Sequence, residues 1–330
     1  QQLCATICEP VRSCFRQTPH KAYLEEFILE KIRIVTDSGS DILAPYSENL
    51  TVLPMTVRFG TEEFLDGVTL THTAFFEKLL EDDIFPTTSL IPPDTFTRVY
   101  AEAAGRGETV IVITLSSRLS GTCQSAMVAA GEAPGTVYVV DSKNVSSGER
   151  LLVAYALRMV QAGMDAASIV RTLESARERI HILALLDTLE YLKRGGRISK
   201  TVAFVGEMMA IKPVVTVRDG EVALLGKARG SRNGSNFLIR EIENCGGINF
   251  DLPCFLGYTG LSDAALQKYL RDSERLWRGH KLSIHTIGAT IGTHVGPNAI
   301  SVAFFDTGVT PACPDPGKVE QQEQGGKSEI

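Results

Sequence analysis

The stretch from Thr109 to Thr122 constrains the fold most tightly. The apolar run Val110-Ile111-Val112-Ile113 empties into a hydroxyl-rich turn, Ser116-Ser117-Arg118-Leu119-Ser120-Gly121-Thr122, and the small-residue helical pattern Gln124-Ser125-Ala126-Met127-Val128-Ala129-Ala130 follows. A short unbroken apolar run reads as a parallel strand buried on both faces. Where such a strand ends in a Ser/Gly turn and a helix begins, free backbone N–H groups and hydroxyls gather at one point, which suits a carboxylate or a phosphate.

The remaining chain continues this alternation. Ile32–Val35 reads as a strand ending in Thr36-Asp37-Ser38-Gly39-Ser40-Asp41, Leu50–Pro54 and Met55–Phe59 as extended segments, and Thr73–Leu80 and Pro93–Ala104 as helices. Thr136–Val140 is a strand ending in Asp141-Ser142, and helices follow over Ser147–Ala162 and Ala166–Glu178. The spacing implies a parallel, Rossmann-like sheet with right-handed crossovers. Its polar turns after Val35, Ile113 and Val140 are expected to converge at the carboxyl ends of the strands, where open α/β sheets bind ligands.

The second half changes character. His181–Leu186 reads as a strand, Thr188–Arg194 as a helical turn, and Ile211–Val217 with Glu221–Leu225 as a hairpin closed near Asp219-Gly220. Helices over Gly234–Asn244 and Asp263–Trp277, with strands at Cys254–Tyr258, Lys281–Thr286 and Ala299–Phe305, predict an α+β domain with a mixed or antiparallel sheet. The expected division is an N-terminal extension over 1–30 with a helix at Lys21–Leu29, an α/β domain over 31–178, an α+β domain over 179–306, and a disordered tail over 307–330.

Composition excludes several classes. At 330 residues, 44% hydrophobic and 22% charged, the chain can fill two ordinary globular domains, and a net charge of −6 argues against a general nucleic-acid binder. No apolar run reaches the roughly 18 residues of a membrane span; the nearest, Thr201–Val217, is broken by Glu207, Lys212 and Pro213. Cys4, Cys8, Cys14, Cys123, Cys245, Cys254 and Cys313 show no Cys-x-x-Cys and no zinc-ligand spacing, so reduced thiols in a cytoplasm and no metal are expected.

Three segments could carry chemistry. Pro86-Thr87-Thr88-Ser89 precedes a predicted helix and fits a cap as well as a site; Ser116–Thr122 fits a cap or an anion cradle. In Ile287-Gly288-Ala289-Thr290-Ile291-Gly292-Thr293-His294-Val295-Gly296-Pro297 the glycines surround a single imidazole, as though it were held in a special turn. Two basic segments, Leu192-Lys193-Arg194-Gly195-Gly196-Arg197-Ile198 and Lys227-Ala228-Arg229-Gly230-Ser231-Arg232, read as solvated loops or as a local patch for phosphate or an acidic partner.

Taken in order, Thr36-Asp37-Ser38, Thr88-Ser89, Ser116 to Thr122, Asp141-Ser142, Gly195-Gly196-Arg197-Ile198, Lys212-Pro213 and Ile291 to Pro297 resemble the DegV family of bacterial fatty-acid-binding proteins, the lipid-presenting subunits of a two-part fatty-acid kinase. The likeness covers about Lys31 to Phe305. It implies a two-domain α/β protein that holds one long-chain fatty acid in an apolar tunnel, with Thr88, Ser120 and His294 on the carboxylate. Ser89, Gly121, Thr122, Gly292 and Gly296 would support that pocket, and Arg197 and Arg229 would dock the kinase.

The resemblance further implies no catalysis and no cofactor of its own. The partner would be an ATP-dependent fatty-acid kinase, with an acyltransferase of phospholipid synthesis and transient contact with a membrane surface as further expectations. The chain departs from the family pattern at Gly39, at Cys123 and at Ile91-Pro92-Pro93, none of which touches the proposed carboxylate ligands. No Gly-x-x-x-x-Gly-Lys-Ser/Thr and no Gly-x-Gly-x-x-Gly after a strand is present, so ATP and metal would come from the partner. The competing readings are a serine hydrolase using Ser120, His294 and Asp141 or Asp37, although no Gly-x-Ser-x-Gly elbow surrounds Ser120, and a lipid-sensing regulator with the same pocket.

Overall fold

The computed structural model describes residues 30–198 and 211–314 of the chain. The first half contains β1 (Ile32–Asp37), β2 (Leu50–Leu53), β3 (Thr56–Phe59), β4 (Glu62–Leu65), α1 (His72–Glu81), β5 (Thr87–Ser89), α2 (Pro93–Gly105), β6 (Thr109–Thr114), α3 (Thr122–Ala130), β7 (Val137–Asp141), α4 (Ser147–Gln161) and α5 (Ala166–Ala176). A four-stranded sheet in the order β2-β1-β6-β7 is parallel throughout. Val110, Ile111, Val112 and Ile113 are all buried at its centre, as an unbroken apolar run requires.

A second, antiparallel sheet in the order β4-β3-β5 differs from the sequence reading. Thr87-Thr88-Ser89 is an edge strand paired to β3 and caps no helix, while α2 starts at Pro93 as expected, with no side-chain cap. Two β-branched threonines favour the extended backbone, and a proline needs no partner for the N–H that the first helical turn leaves free.

The second half contains β8 (Ile180–Leu185), α6 (Glu190–Arg194), β9 (Ile211–Arg218), β10 (Glu221–Arg229), α7 (Gly230–Asn244), β11 (Cys254–Tyr258), α8 (Ala264–Asp272), α9 (Glu274–Trp277), β12 (Ser283–Thr286), α10 (Ala289–Val295) and β13 (Ile300–Phe305). Its mixed sheet runs β10-β9-β8-β13-β11-β12, with β11 and β12 parallel. The β9–β10 hairpin closes at Asp219 (φ 50°) and Gly220 (φ 81°), both left-handed, as a two-residue turn between twisted strands needs.

Four sequence expectations are corrected. Lys227 to Arg232 is no loop: β10 runs to Arg229 past an irregularity between Leu224 and Gly226, and α7 starts at Gly230. The helix expected over Asp263–Trp277 breaks at Ser273, whose hydroxyl donates to the Tyr269 carbonyl (2.6 Å) and accepts from Trp277 Nε1 (2.9 Å). His294 lies in the last turn of the short helix α10, not in an irregular glycine turn. The chain beyond Asp306 is fastened as far as Pro314, because Arg158 donates to the carbonyls of Cys313 (2.7 Å) and Pro314 (3.0 Å), and Ala312 N–H donates to the Tyr155 hydroxyl (2.7 Å). The helix expected over Lys21–Leu29, Cys4, Cys8 and Cys14, and the tail past Pro314 lie outside the described residues.

The two halves share their core. Leu151, Leu152, Val153, Tyr155, Ala156 and Met159 of α4 are fully buried, in one apolar cluster with Ile34 and Ile111 of the parallel sheet and Ala303 and Phe305 of the mixed sheet. α10 comes to rest just past the carboxyl end of β1, against α1, α6, β3 and β5.

Candidate functional site

α10 is held in place by carboxylates of the first half. Asp66 accepts from the N–H groups of Ala289 (3.0 Å) and Thr290 (3.0 Å), the unsatisfied donors of the first turn, and Asp41 accepts from Gly288 N–H (2.8 Å). Gly292 faces α1, where a β-carbon would stand 2.6 Å from Phe75 and 2.8 Å from Phe76. Gly296 ends the helix with φ 74°, and a β-carbon there would stand 2.3 Å from the Tyr191 ring. These two glycines stand behind the site and allow the close packing that aims His294 at β5.

His294 Nε2 lies 2.9 Å from Thr88 Oγ1. Its Nδ1 is buried with no hydrogen-bond partner among the described residues, and it faces Gly195, where a β-carbon would stand 2.2 Å away. Burial, with the Arg197 guanidinium adding to it, pushes His294 down to about 4, so the ring is neutral near neutral pH. The Ser120 hydroxyl is paired with Thr122 Oγ1 (3.0 Å) and accepts from Thr122 N–H (3.3 Å) at the start of α3.

Thr88, Ser89, Ser120, Gly121, Arg197 and His294 all line one cavity of about 390 Å³, whose other walls include Met55, Leu90, Leu115, Leu119 and Ile291. Val145, Leu192, Val222, Ile291 and Val295 continue from it into a narrower chamber of about 60 Å³, lined further by Ile182, Ala184 and Val215. Polar groups thus concentrate at one end of a space that is otherwise apolar, the shape and chemistry of an amphiphile with an anionic head.

The other candidates fall elsewhere. Thr122 is fully buried behind Ser120, and its hydroxyl accepts from Ile91 N–H (3.4 Å). Arg197 braces the wall, donating to the carbonyls of Leu119 (3.2 Å) and Gly195 (2.6 Å), whereas Arg229 is exposed at the end of β10, away from this cavity. Ser116 donates to the Gly220 carbonyl (2.7 Å), fastening the β9–β10 turn to the first half. Asp37 accepts from the N–H groups of Gly39 and Leu115 (both 2.9 Å), and Asp141 from those of Ser117 (3.2 Å) and Lys143 (2.9 Å).

No hydrolytic triad results. Ser120 pairs with Thr122, His294 pairs with Thr88, and the carboxylates of Asp37 and Asp141 are engaged by backbone N–H groups; a triad needs the base between the nucleophile and an orienting carboxylate. Sequence reasoning missed Asp41 and Asp66, because their partners at Gly288 to Thr290 lie more than 200 positions away. It also missed Gly195 as the neighbour of His294; the Gly195-Gly196 pair was a signal of close approach, but not of what approaches. Among the described residues no His/Cys/Asp/Glu group is arranged to hold a metal ion, and no helix is long and apolar enough to cross a membrane.

The fold and these residues have relatives. Residues 31–307 match the family described as "Uncharacterised protein, DegV family". A DegV domain-containing protein of Caldanaerobacter subterraneus is 34% identical over 84% of this chain and 99% of its own length, and one of Deinococcus radiodurans is 34% identical over 83% and 98%. Among solved structures, a DegV family protein from Thermus thermophilus, described as fatty-acid binding, superposes with a TM-score of 0.76 at 32% identity, covering 83% of this chain and 99% of that one. A DegV family protein from Eubacterium eligens, loaded with heptadecanoic acid, shares the fold with a TM-score of 0.74 at 22% identity, covering 84% and 100%. With nearly the whole length of these relatives matched, the chain belongs to the DegV family.

Proposed function

We propose that the chain binds one long-chain fatty acid in the space between its two halves and presents the carboxylate to a separate ATP-dependent fatty-acid kinase. The observation that carries this reading is the facing pair Thr88–His294, with Ser120 at the same end of a cavity that continues into an apolar chamber. The fatty-acid binding described for the Thermus thermophilus relative supports it.

The physics is coherent. An ionised carboxylate buried without partners costs several kcal/mol or more; the hydroxyls of Thr88 and Ser120, the His294 ring and the charge of Arg197 each offset part of that. The tail contributes roughly 0.8 kcal/mol per buried CH₂. In phosphoryl transfer the partner supplies ATP and metal, and this chain holds the carboxylate oxygen for attack on the γ-phosphate. Enclosure of the acyl phosphate limits its hydrolysis before it passes to phospholipid synthesis. Arg229, exposed at the end of β10, and Arg197 in the cavity wall are the proposed kinase-facing cations.

Organic extraction of protein purified from a bacterial host should release a non-covalent fatty acid, read by mass spectrometry. The delipidated protein should bind palmitate or oleate; failure to bind either would overturn the reading. Ser120→Ala should weaken retention, while Arg229→Ala should leave binding unchanged and slow phosphorylation by a cognate kinase.

A further inference from the structure

Of the residues that line the larger cavity, only Ser89, Leu90 and Gly121 are exposed; every other is buried or half-buried. The cavity therefore borders solvent where these three meet, at the end that carries Thr88 and Ser120. Leu90 is 46% exposed and is the one large apolar side chain among them. Its Cδ2 lies against Gly121: a β-carbon on that glycine would stand 2.8 Å from it and meet no other atom beyond its chain neighbours within 4 Å. The leucine thus spans from the residue after β5, the strand that carries Thr88, to the residue after Ser120.

The backbone on either side of Leu90 is fixed. Ser89 is paired to Thr56 of β3, and Ile91 is 2% exposed and donates its N–H to Thr122 Oγ1 (3.4 Å). Pro92 and Pro93 follow, and their rings hold φ near one value. The side chain is free by contrast, because almost half of it is in water and the residue facing it has no β-carbon to wedge against. An exposed leucine changes rotamer rapidly and without backbone movement.

We propose that Leu90 is the gate of the head-group end of this cavity: laid against Gly121 it shields the bound carboxylate from water, and swung away it admits the ligand and opens the carboxylate to a partner. The proposal rests on fatty-acid binding as read above. A hydrocarbon cover strengthens the hydrogen bonds that Thr88 and Ser120 offer an anion, since bonds shielded from water are electrostatically stronger. The same cover has to move before an acyl group can leave or a second protein can reach the carboxylate through this wall.

The test is release of cis-parinaric acid, a fluorescent fatty acid, from the loaded full chain chased with excess oleate, followed by stopped-flow fluorescence beside thermal melts. Leu90→Ala should release the probe about fivefold faster, since a half-buried leucine gives up about half the gain of full burial. It should melt with the unaltered protein, as variants at exposed positions do. Gly121 sits at φ −75°, ψ 2°, which alanine adopts, and the added methyl of Gly121→Ala pushes the flexible tip of Leu90 aside. That variant should also release faster, but should add nothing in the Leu90→Ala background, because the two act through one contact. Release from Leu90→Ala within about twofold of the unaltered protein would overturn the proposal, and so would an acceleration by Gly121→Ala that is as large in the Leu90→Ala background. If the delipidated chain takes up no parinaric acid, the fatty-acid reading itself fails, a result distinct from an unchanged rate.

Discussion

Gly195 offers a way to disturb the proposed carboxylate site through one methyl group. Its backbone sits at φ −68°, ψ −13°, an ordinary right-handed conformation that alanine adopts without strain. The added β-carbon would stand 2.2 Å from His294 Nδ1, 2.9 Å from its Cε1 and 3.2 Å from the Tyr191 carbonyl oxygen. The carbonyl belongs to the backbone of α6, so the imidazole must yield, and the 2.9 Å contact with Thr88 goes with it. Overpacking of this kind costs about 1–3 kcal/mol of stability. A lost hydrogen bond to a charged group is worth about 1.5–3 kcal/mol, which corresponds to roughly 10- to 150-fold weaker fatty-acid binding. Gly196 provides the control: its φ of 70° penalises alanine by about 1–2 kcal/mol, but a β-carbon there meets nothing within 4 Å. Gly195→Ala should therefore lose binding, and Gly196→Ala should lose stability alone. Displacement of a fluorescent fatty acid, measured beside thermal melts, separates the two. Binding of Gly195→Ala within twofold of the unaltered protein would refute the assignment of His294 to the carboxylate.

Two further perturbations test the scaffold. Gly292→Ala places a β-carbon 2.6 Å from Phe75 and 2.8 Å from Phe76 and should lower stability by about 1–3 kcal/mol in chemical denaturation; an unchanged midpoint would contradict the close packing of α10 on α1. His294, pushed down to about 4 from an ordinary 6.5, stays neutral in the fold and takes its proton more readily on unfolding. Its contribution is full above about pH 6.5 and is lost as pH falls toward 4, by about 3 kcal/mol. Asp41, raised by burial to about 7, acts in the opposite sense, its contribution being present below its ordinary 3.8 and lost as pH rises toward 7. The difference between the protein and His294→Gln isolates the histidine: the variant should lose less stability on acidification, and parallel acid limbs would rule the histidine out as its source.

Local patterns made most of the fold legible, and long-range partners account for the rest. Val110 to Ile113 predicted a covered parallel strand because burial on both faces leaves no polar alternation, and Asp219-Gly220 predicted a tight hairpin because both residues tolerate left-handed backbone. The third sheet was not legible: Thr87-Thr88-Ser89 becomes a strand only because β3 offers it an edge, and the same residues in isolation cap a helix equally well. Likewise Ile287 to Pro297 shows a histidine among glycines, but its helix depends on Asp66 and Asp41, remote carboxylates that satisfy its first N–H groups. The tail after Asp306 looked too polar to pack, yet Arg158 and Tyr155 hold it through backbone groups, which composition does not register.

The residue types of a hydrolase are present in this chain, and their arrangement selects against that chemistry. A general base needs a pKa near the working pH and a partner that steadies its protonated form; His294 is buried, faces Arg197 and has no partner at Nδ1, so the structure opposes its charging. Ser120 cannot hand its proton to a ring that is paired with Thr88. What a neutral imidazole and two hydroxyls can do is offer hydrogen bonds to an anion without reacting with it. Thr88 and Ser120 come from the first half and His294 from the second, and α10 reaches them only when Asp41 and Asp66 have captured its N-terminus. The proposed anion site is thus complete only while the two halves are docked, and loosening of that contact would take His294 away from Thr88 and Ser120.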